Sequence, residues 1–247
     1  AFMGGRTIGV KHVVKDRKEG ERLVYLDYTS LYPAVQWGTA GEVWPVGYPD
    51  IYLGIEAEEQ APKLEDSLGL WMCEVLPPRA LRHPVLPYTV KGKLLFPLCR
   101  TCAERSRPGK CTHSDAERCF TGTFTTMELK KAVEMGYEIR EVQEIWNWPV
   151  ERRSHDMFRQ MITDQYGRKV LASELPTEHE KIKELLDHLH ELGVRNEAGE
   201  RVAEADFESN PTIRALAKFC INNIWGYLGK RSDVTELLIT DQVDELF

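Results

Sequence analysis

Arg22-Leu-Val-Tyr-Leu-Asp27-Tyr-Thr-Ser-Leu-Tyr-Pro33 is the stretch on which the reading of this chain turns. An apolar run, Leu23 to Leu26, ends abruptly in an aspartate. The run predicts a buried strand over residues 22–27. A carboxylate at the end of such a strand is costly unless something pairs with it. A divalent cation is one efficient partner, and a turn or helix-capping role is the plainer alternative. From Ser30 to Val35 the chain is expected to turn into a helix.

A second stretch lies about 190 residues further on: Asn210-Pro-Thr-Ile-Arg214-Ala-Leu-Ala-Lys218-Phe-Cys-Ile-Asn222-Asn223-Ile-Trp225-Gly226. A helix is expected from about Pro211 to Leu228. Arg214, Lys218 and Asn222 recur every four residues and so share one helical face. Ile213, Leu216, Ala217, Cys220, Ile221 and Ile224 fill the rest. The plain alternative is a pair of long cations snorkelling over an apolar helix.

Between the two stretches, residues 70–76 read as a strand and 86–97 as a hairpin turning at Lys91-Gly92. A cysteine-rich loop fills 98–119. A helix over 126–135 is stopped by Gly136 and followed by a strand over 138–146. Residues 37–54, rich in Gly, Pro and Trp, read as irregular. Met157, Phe158, Met161 and Ile162 have helical spacing within 154–165. A clearer helix spans 178–192, with Thr177 and Glu180 as a capping box, Ile182, Leu185, Leu186 and Leu189 as its apolar stripe, and Gly193 as its stop. Helices and strands in blocks make the fold class α+β.

Cys99-Arg-Thr-Cys102, eight residues, then Cys111-Thr-His113 offers four soft ligands. The two-residue gap lets both thiolates reach one ion, and Cys111 with His113 can close a tetrahedron, so zinc is expected. Four protein ligands leave no place for water, which makes such a site structural. Cys119 stands in reserve. Cys73 and Cys220 sit in apolar runs and read as core residues.

The chain has 247 residues and a net charge of −7, which argues against a surface uniformly adapted to nucleic acid. The charge is uneven. Residues 1–22 hold six Lys or Arg against three acids, and 172–209 hold eleven acids against four basic residues. No apolar run is long enough to span a bilayer, and no membrane partner is expected. The chain opens at Ala1-Phe2-Met3 and is expected to be an excised segment or a processed product.

Asp27 followed by Ser30-Leu31-Tyr32-Pro33 resembles the first palm motif of family B DNA polymerases. Lys218, Asn222, Trp225 and Gly226 resemble the second motif of the same family, in the same order. Phe2-Met3-Gly4-Gly5-Arg6 resembles the aromatic-x-Gly-Gly element that precedes the palm in the protein-primed branch. Trp225 and the cysteine cluster are similar to the polymerases of Polinton (Maverick) elements. Asn223, where serine is usual, is a departure.

The resemblance implies that Asp27 and the Tyr28 carbonyl hold catalytic magnesium. It implies that backbone amides of Thr29, Ser30, Leu31 and Tyr32 cradle the incoming triphosphate, and that Tyr32 excludes a ribose 2′-hydroxyl. Lys218 would contact the triphosphate, Arg214 would add a second contact, and Asn222, Trp225 and Gly226 would pack on the nascent base pair. Phe2, Gly4, Gly5 and Arg6 would line the template strand. The implied partners are a DNA primer-template, a deoxynucleoside triphosphate and a terminal, priming protein. The implied layout is a palm part over 1–54, an insertion over 55–150 holding the zinc loop, fingers-like helices over 151–232, and a return into the palm over 233–247.

Two-metal transfer needs a second carboxylate. No Asp-x-Asp follows Arg231, and Asp233, Asp241 and Asp244 lack that context. The chain is therefore expected to be a polymerase part that does not polymerise alone. The alternatives are a non-catalytic polymerase-like module holding nucleic acid or a protein, and a zinc-stapled interaction domain. The last explains Cys99 to His113 but neither flanking motif.

Overall fold

The computed structural model describes residues 3–7, 9, 19–28, 30–39, 41–106 and 109–228, and the chain divides into two units, residues 1–26 with 43–154 and residues 27–42 with 155–247. Along the chain come α1 (Leu31–Trp37), β1 (Trp44–Pro45), β2 (Asp50–Leu53), α2 (Ile55–Glu59), β3 (Gly69–Leu76), β4 (Tyr88–Val90) and β5 (Lys93–Leu95). They are followed by α3 (Arg100–Arg105), α4 (Asp115–Arg118), β6 (Phe120–Thr125), α5 (Thr126–Glu134), β7 (Glu138–Asn147) and β8 (Arg153–Ser154). Last are α6 (Arg159–Leu171), α7 (His179–Glu191) and α8 (Pro211–Leu228). The mixture of helices and antiparallel sheet is α+β.

In the first unit, an antiparallel sheet runs in the order β2-β7-β3-β6. Alternation along β3 and its neighbours sends Trp71, Cys73, Val75, Phe120, Phe124 and Ile145 to one face. There they share a core with Leu86, Leu129, Ala132 and Tyr137. Burying each large side chain contributes roughly 1.5–3 kcal/mol. Gly69 is fixed by crowding: a Cβ there would lie 1.8 Å from the Trp146 carbonyl oxygen. The β4–β5 hairpin turns at Lys91 (φ 48°) and Gly92 (φ 74°), the paired positive φ of a tight hairpin turn. Thr125 and Glu128 form a reciprocal capping box that starts α5.

In the second unit, α1 packs against α6 and α8, and α6 packs against α8. Trp37 Nε1 donates to Thr163 Oγ1 at 2.9 Å, and the Arg159 guanidinium lies 4.7 Å from the Trp37 ring centroid. Leu189, Val194 and Val202 form a small core with Tyr166, Val170 and Leu171 of α6. Gly167 permits this: a Cβ there would meet Val194 Cγ1 at 2.5 Å.

Several expectations from the sequence need correction. No strand forms over 22–27, and Leu23 and Leu26 are 73% and 86% exposed. Apolar composition supplies propensity, but a strand is a property of a pair, and no described strand lies alongside. Residues 37–54 contain β1 and β2, and the loop 98–119 contains α3 and α4. The helix expected over 154–165 begins later and runs longer, because Arg153 and Ser154 are held extended by pairing with β1. The Thr177–Glu180 box does not form. Instead α7 has Glu178 at its N-cap, whose carboxylate pairs with Lys181 Nζ at 2.7 Å. Cys73 is fully buried, whereas Cys220 is only half-buried. No helix among the described residues is long and apolar enough to cross a membrane.

Candidate metal centre and cation cluster

The β4–β5 hairpin delivers the chain to Cys99, which caps α3: its Sγ accepts from the Cys102 N–H at 3.4 Å. This folds the Cys-x-x-Cys pair into a knuckle. Cys111 and His113 return to it from the other side of the loop. His113 Nδ1 lies 3.4 Å from Cys99 Sγ, 3.3 Å from Cys102 Sγ and 3.5 Å from Cys111 Sγ. All four ligand atoms fall within 4.8 Å of one another. A tetrahedral zinc with ordinary bond lengths sets its sulfur and nitrogen ligands about 3.5 Å apart. The four side chains therefore already fit the ion. Cys119, the reserve ligand, is buried at the end of α4 and is not part of the cluster.

The thiols are unequal. Burial, and then hydrogen bonding shared with Cys99 and Cys111, pushes Cys102 up to about 12. Hydrogen bonding from the His113 backbone brings Cys111 down to about 7. The loop is strapped by Arg118, which is 3% exposed and which the sequence reading did not single out. Its guanidinium donates to the Pro77 carbonyl at 2.5 Å and pairs with Asp115 at 3.0 Å. Ser114 and Glu117 form the capping box that seats Asp115, which also pairs with Arg79 at 2.8 Å.

In the second unit, Asp27, Tyr28 and Tyr32 are exposed. Ser30 is left-handed (φ 56°, ψ 35°), makes no side-chain cap bond, and leads directly into α1. A left-handed residue feeding a right-handed turn aims successive amides to one side, the geometry of an anion seat. Leu31 and Tyr32 supply the first helical amides.

On α8, Ala217 and Ile221 are buried, while Arg214, Lys218, Asn222 and Gly226 face solvent. The fold adds a cation that the sequence did not signal. Lys169, near the end of α6, is held below the usual lysine range by burial first, then by the nearby charges of Arg214 and Lys218. Ser173 ties this corner together: its hydroxyl donates to the Lys169 carbonyl at 2.8 Å and accepts from Arg214 Nε at 3.1 Å. The helix pattern of α6 marks Lys169 only as a polar position, because its neighbours on α8 come from more than forty residues away.

At the start of the chain, Gly4 and Gly5 are exposed with open space around them. Arg6 donates to the Pro84 carbonyl at 2.9 Å, and its guanidinium lies 5.0 Å from the Phe96 ring centroid. Phe2, Thr29, the side chain of Trp225 and residues 233–247 lie outside the described residues.

The family model for DNA polymerase type B, organellar and viral, matches residues 1–188. That range takes in Asp27 to Pro33, the whole cysteine cluster and Lys169, and it ends before α8. No curated protein and no solved structure matches the chain.

Proposed function

The chain belongs to the organellar and viral type B DNA polymerases, and from that premise we propose that it carries the nucleotide-binding part of a protein-primed, template-directed nucleotidyl transferase. The observation that carries the reading is that α8, with Arg214 and Lys218 on its exposed face, packs on α1 in the same compact unit as the Asp27 segment, and that Ser173 ties Arg214 to the Lys169 end of α6.

Asp27 and the Tyr28 carbonyl offer hard oxygens suited to magnesium, and they leave most of its six positions to water and phosphate, the coordination that ion keeps. Bound there, magnesium would neutralise phosphate charge at the reacting centre. The protein's own part is electrostatic and steric. The amides after Ser30 seat phosphate oxygens. Lys218 and Arg214, with Lys169 behind them, neutralise the triphosphate as charge shifts toward the leaving group. The Tyr32 ring bars a 2′-hydroxyl, and Asn222 with Gly226 borders the nascent base pair. Cys99, Cys102, Cys111 and His113 hold a structural zinc that pins a polar loop. A terminal protein hydroxyl is the proposed first nucleophile, and a Polinton-type element is the proposed source.

No Asp-x-Asp follows Lys218, so the chain alone is expected to bind nucleotide without extending a primer. The reading is tested by titrating a fluorescent deoxynucleoside triphosphate into the chain with magnesium. Lys218→Ala should weaken binding by about tenfold, the worth of one charged hydrogen bond. Unchanged binding would remove the basis for the assignment.

A further inference from the structure

The first unit has a cleft of about 580 Å³ that Cys99, Cys102 and Cys111 of the candidate metal centre line on one side, so part of the volume is the ion's own place. Leu95, Phe96, Pro97 and Leu98 form an apolar wall, with Arg79, Lys110 and Arg118 around it. The segment that carries it is basic in composition. Residues 79–118 hold nine Lys or Arg against three acids, in a chain whose net charge is −7. The cations are not equivalent. Arg118 is buried in its hydrogen bonds to Pro77, Leu98 and Asp115, and Arg79 is engaged with Asp115 and the His113 carbonyl. Lys110 is exposed and has no ion pair among the described residues.

We propose that this cleft binds single-stranded DNA, taking one unstacked base against Phe96 and the 95–98 wall and the adjoining phosphate at Lys110. The volume suits a nucleotide-sized occupant. An apolar, aromatic wall with a free cation at its rim is what a base and its phosphate require, because every base has a face that stacks and every phosphate a charge to neutralise. A duplex keeps its bases paired and stacked and cannot offer one to the wall. The Arg6 guanidinium lies 5.0 Å from the centroid of the same Phe96 ring and adds a second cation beside that ring.

The test is fluorescence anisotropy of a labelled single-stranded oligonucleotide of roughly 12 nucleotides, a length within the usual single-strand site sizes. The zinc-loaded full chain is compared with Phe96→Leu, Phe96→Trp and Lys110→Glu, with zinc content measured for each. Phe96→Leu should weaken oligonucleotide binding about fivefold, while Phe96→Trp retains it, because stacking rather than bulk is at issue. Lys110→Glu should weaken it similarly and lower the salt slope of log Kd by about 0.7, one phosphate contact on a single strand. Duplex binding should change less than threefold in each. If Phe96→Leu loses zinc, the Lys110→Glu result decides. Oligonucleotide binding unchanged in Lys110→Glu, or a Lys110-dependent affinity for an acidic peptide with none for the oligonucleotide, would overturn the proposal. Labelled-triphosphate binding distinguishes the two readings: it should be unaffected by all three cleft variants, and its insensitivity to Lys218→Ala would count against the nucleotide site alone.

Discussion

Arg214 Nε donates to Ser173 Oγ at 3.1 Å, and the same hydroxyl donates to the Lys169 carbonyl at 2.8 Å. One serine thus links the end of α6 to the cation-bearing face of α8. Arg214 can keep its Nε on Ser173 while its terminal nitrogens remain available to an anion. Ser173→Ala should therefore leave Arg214 less well placed and raise the Kd for a deoxynucleoside triphosphate about three- to fivefold, from a hydrogen bond worth roughly 1 kcal/mol. Ser173→Thr, which keeps the hydroxyl, should restore it. Nucleotide titration of the three proteins checks this.

Lys169 is partly desolvated and feels the charges of Arg214 and Lys218, which hold it below the usual lysine range. An added anion should relieve that repulsion. Lys169→Ala is expected to weaken triphosphate binding while raising thermal stability slightly in the absence of nucleotide. Lys169→Glu should abolish triphosphate binding. Paired melting curves with and without nucleotide measure both effects.

Gly167 lies inside α6, where alanine would ordinarily favour the helix. Here a Cβ would stand 2.5 Å from Val194 Cγ1. Gly167→Ala should lower stability by about 1–3 kcal/mol, as overpacking does. Gly167→Ala combined with Val194→Ala should recover part of the loss, which chemical denaturation would show.

Chelation or Cys102→Ser should unfold the loop between the β4–β5 hairpin and β6 while leaving the helical unit in place. Hydrogen exchange is the direct readout. Protection should be lost at residues 99–118 and retained on α6 and α8, because only the first depends on four convergent ligands.

The sequence foretold most of what local chemistry controls. The hairpin at Lys91-Gly92 was legible because its turn needs two positive φ values. The helix 211–228 was legible from its spacing, and the Cys99–His113 cluster from its ligand gaps. The family was legible from Asp27-to-Pro33, and the match to residues 1–188 bears the family out; the Lys218 pattern lies beyond the matched residues. What failed depended on partners distant in sequence. Leu23 to Leu26 look like a strand but have no described neighbour to pair with. The start of α6 is set by the pairing of Arg153 and Ser154 with β1, and Lys169 gains meaning only from Arg214 and Lys218. Arg118 reads as an ordinary surface cation until the fold buries it against Pro77 and Leu98.

Asp27 and Lys218 are proposed to serve one nucleotide, and a double-mutant cycle on magnesium-dependent triphosphate binding tests that most directly. With the chain, Asp27→Asn, Lys218→Ala and the double variant, the two losses should be non-additive, with a coupling energy of at least about 0.5 kcal/mol, as for groups that share a ligand. Strictly additive losses, or no loss from either substitution, would contradict a shared site.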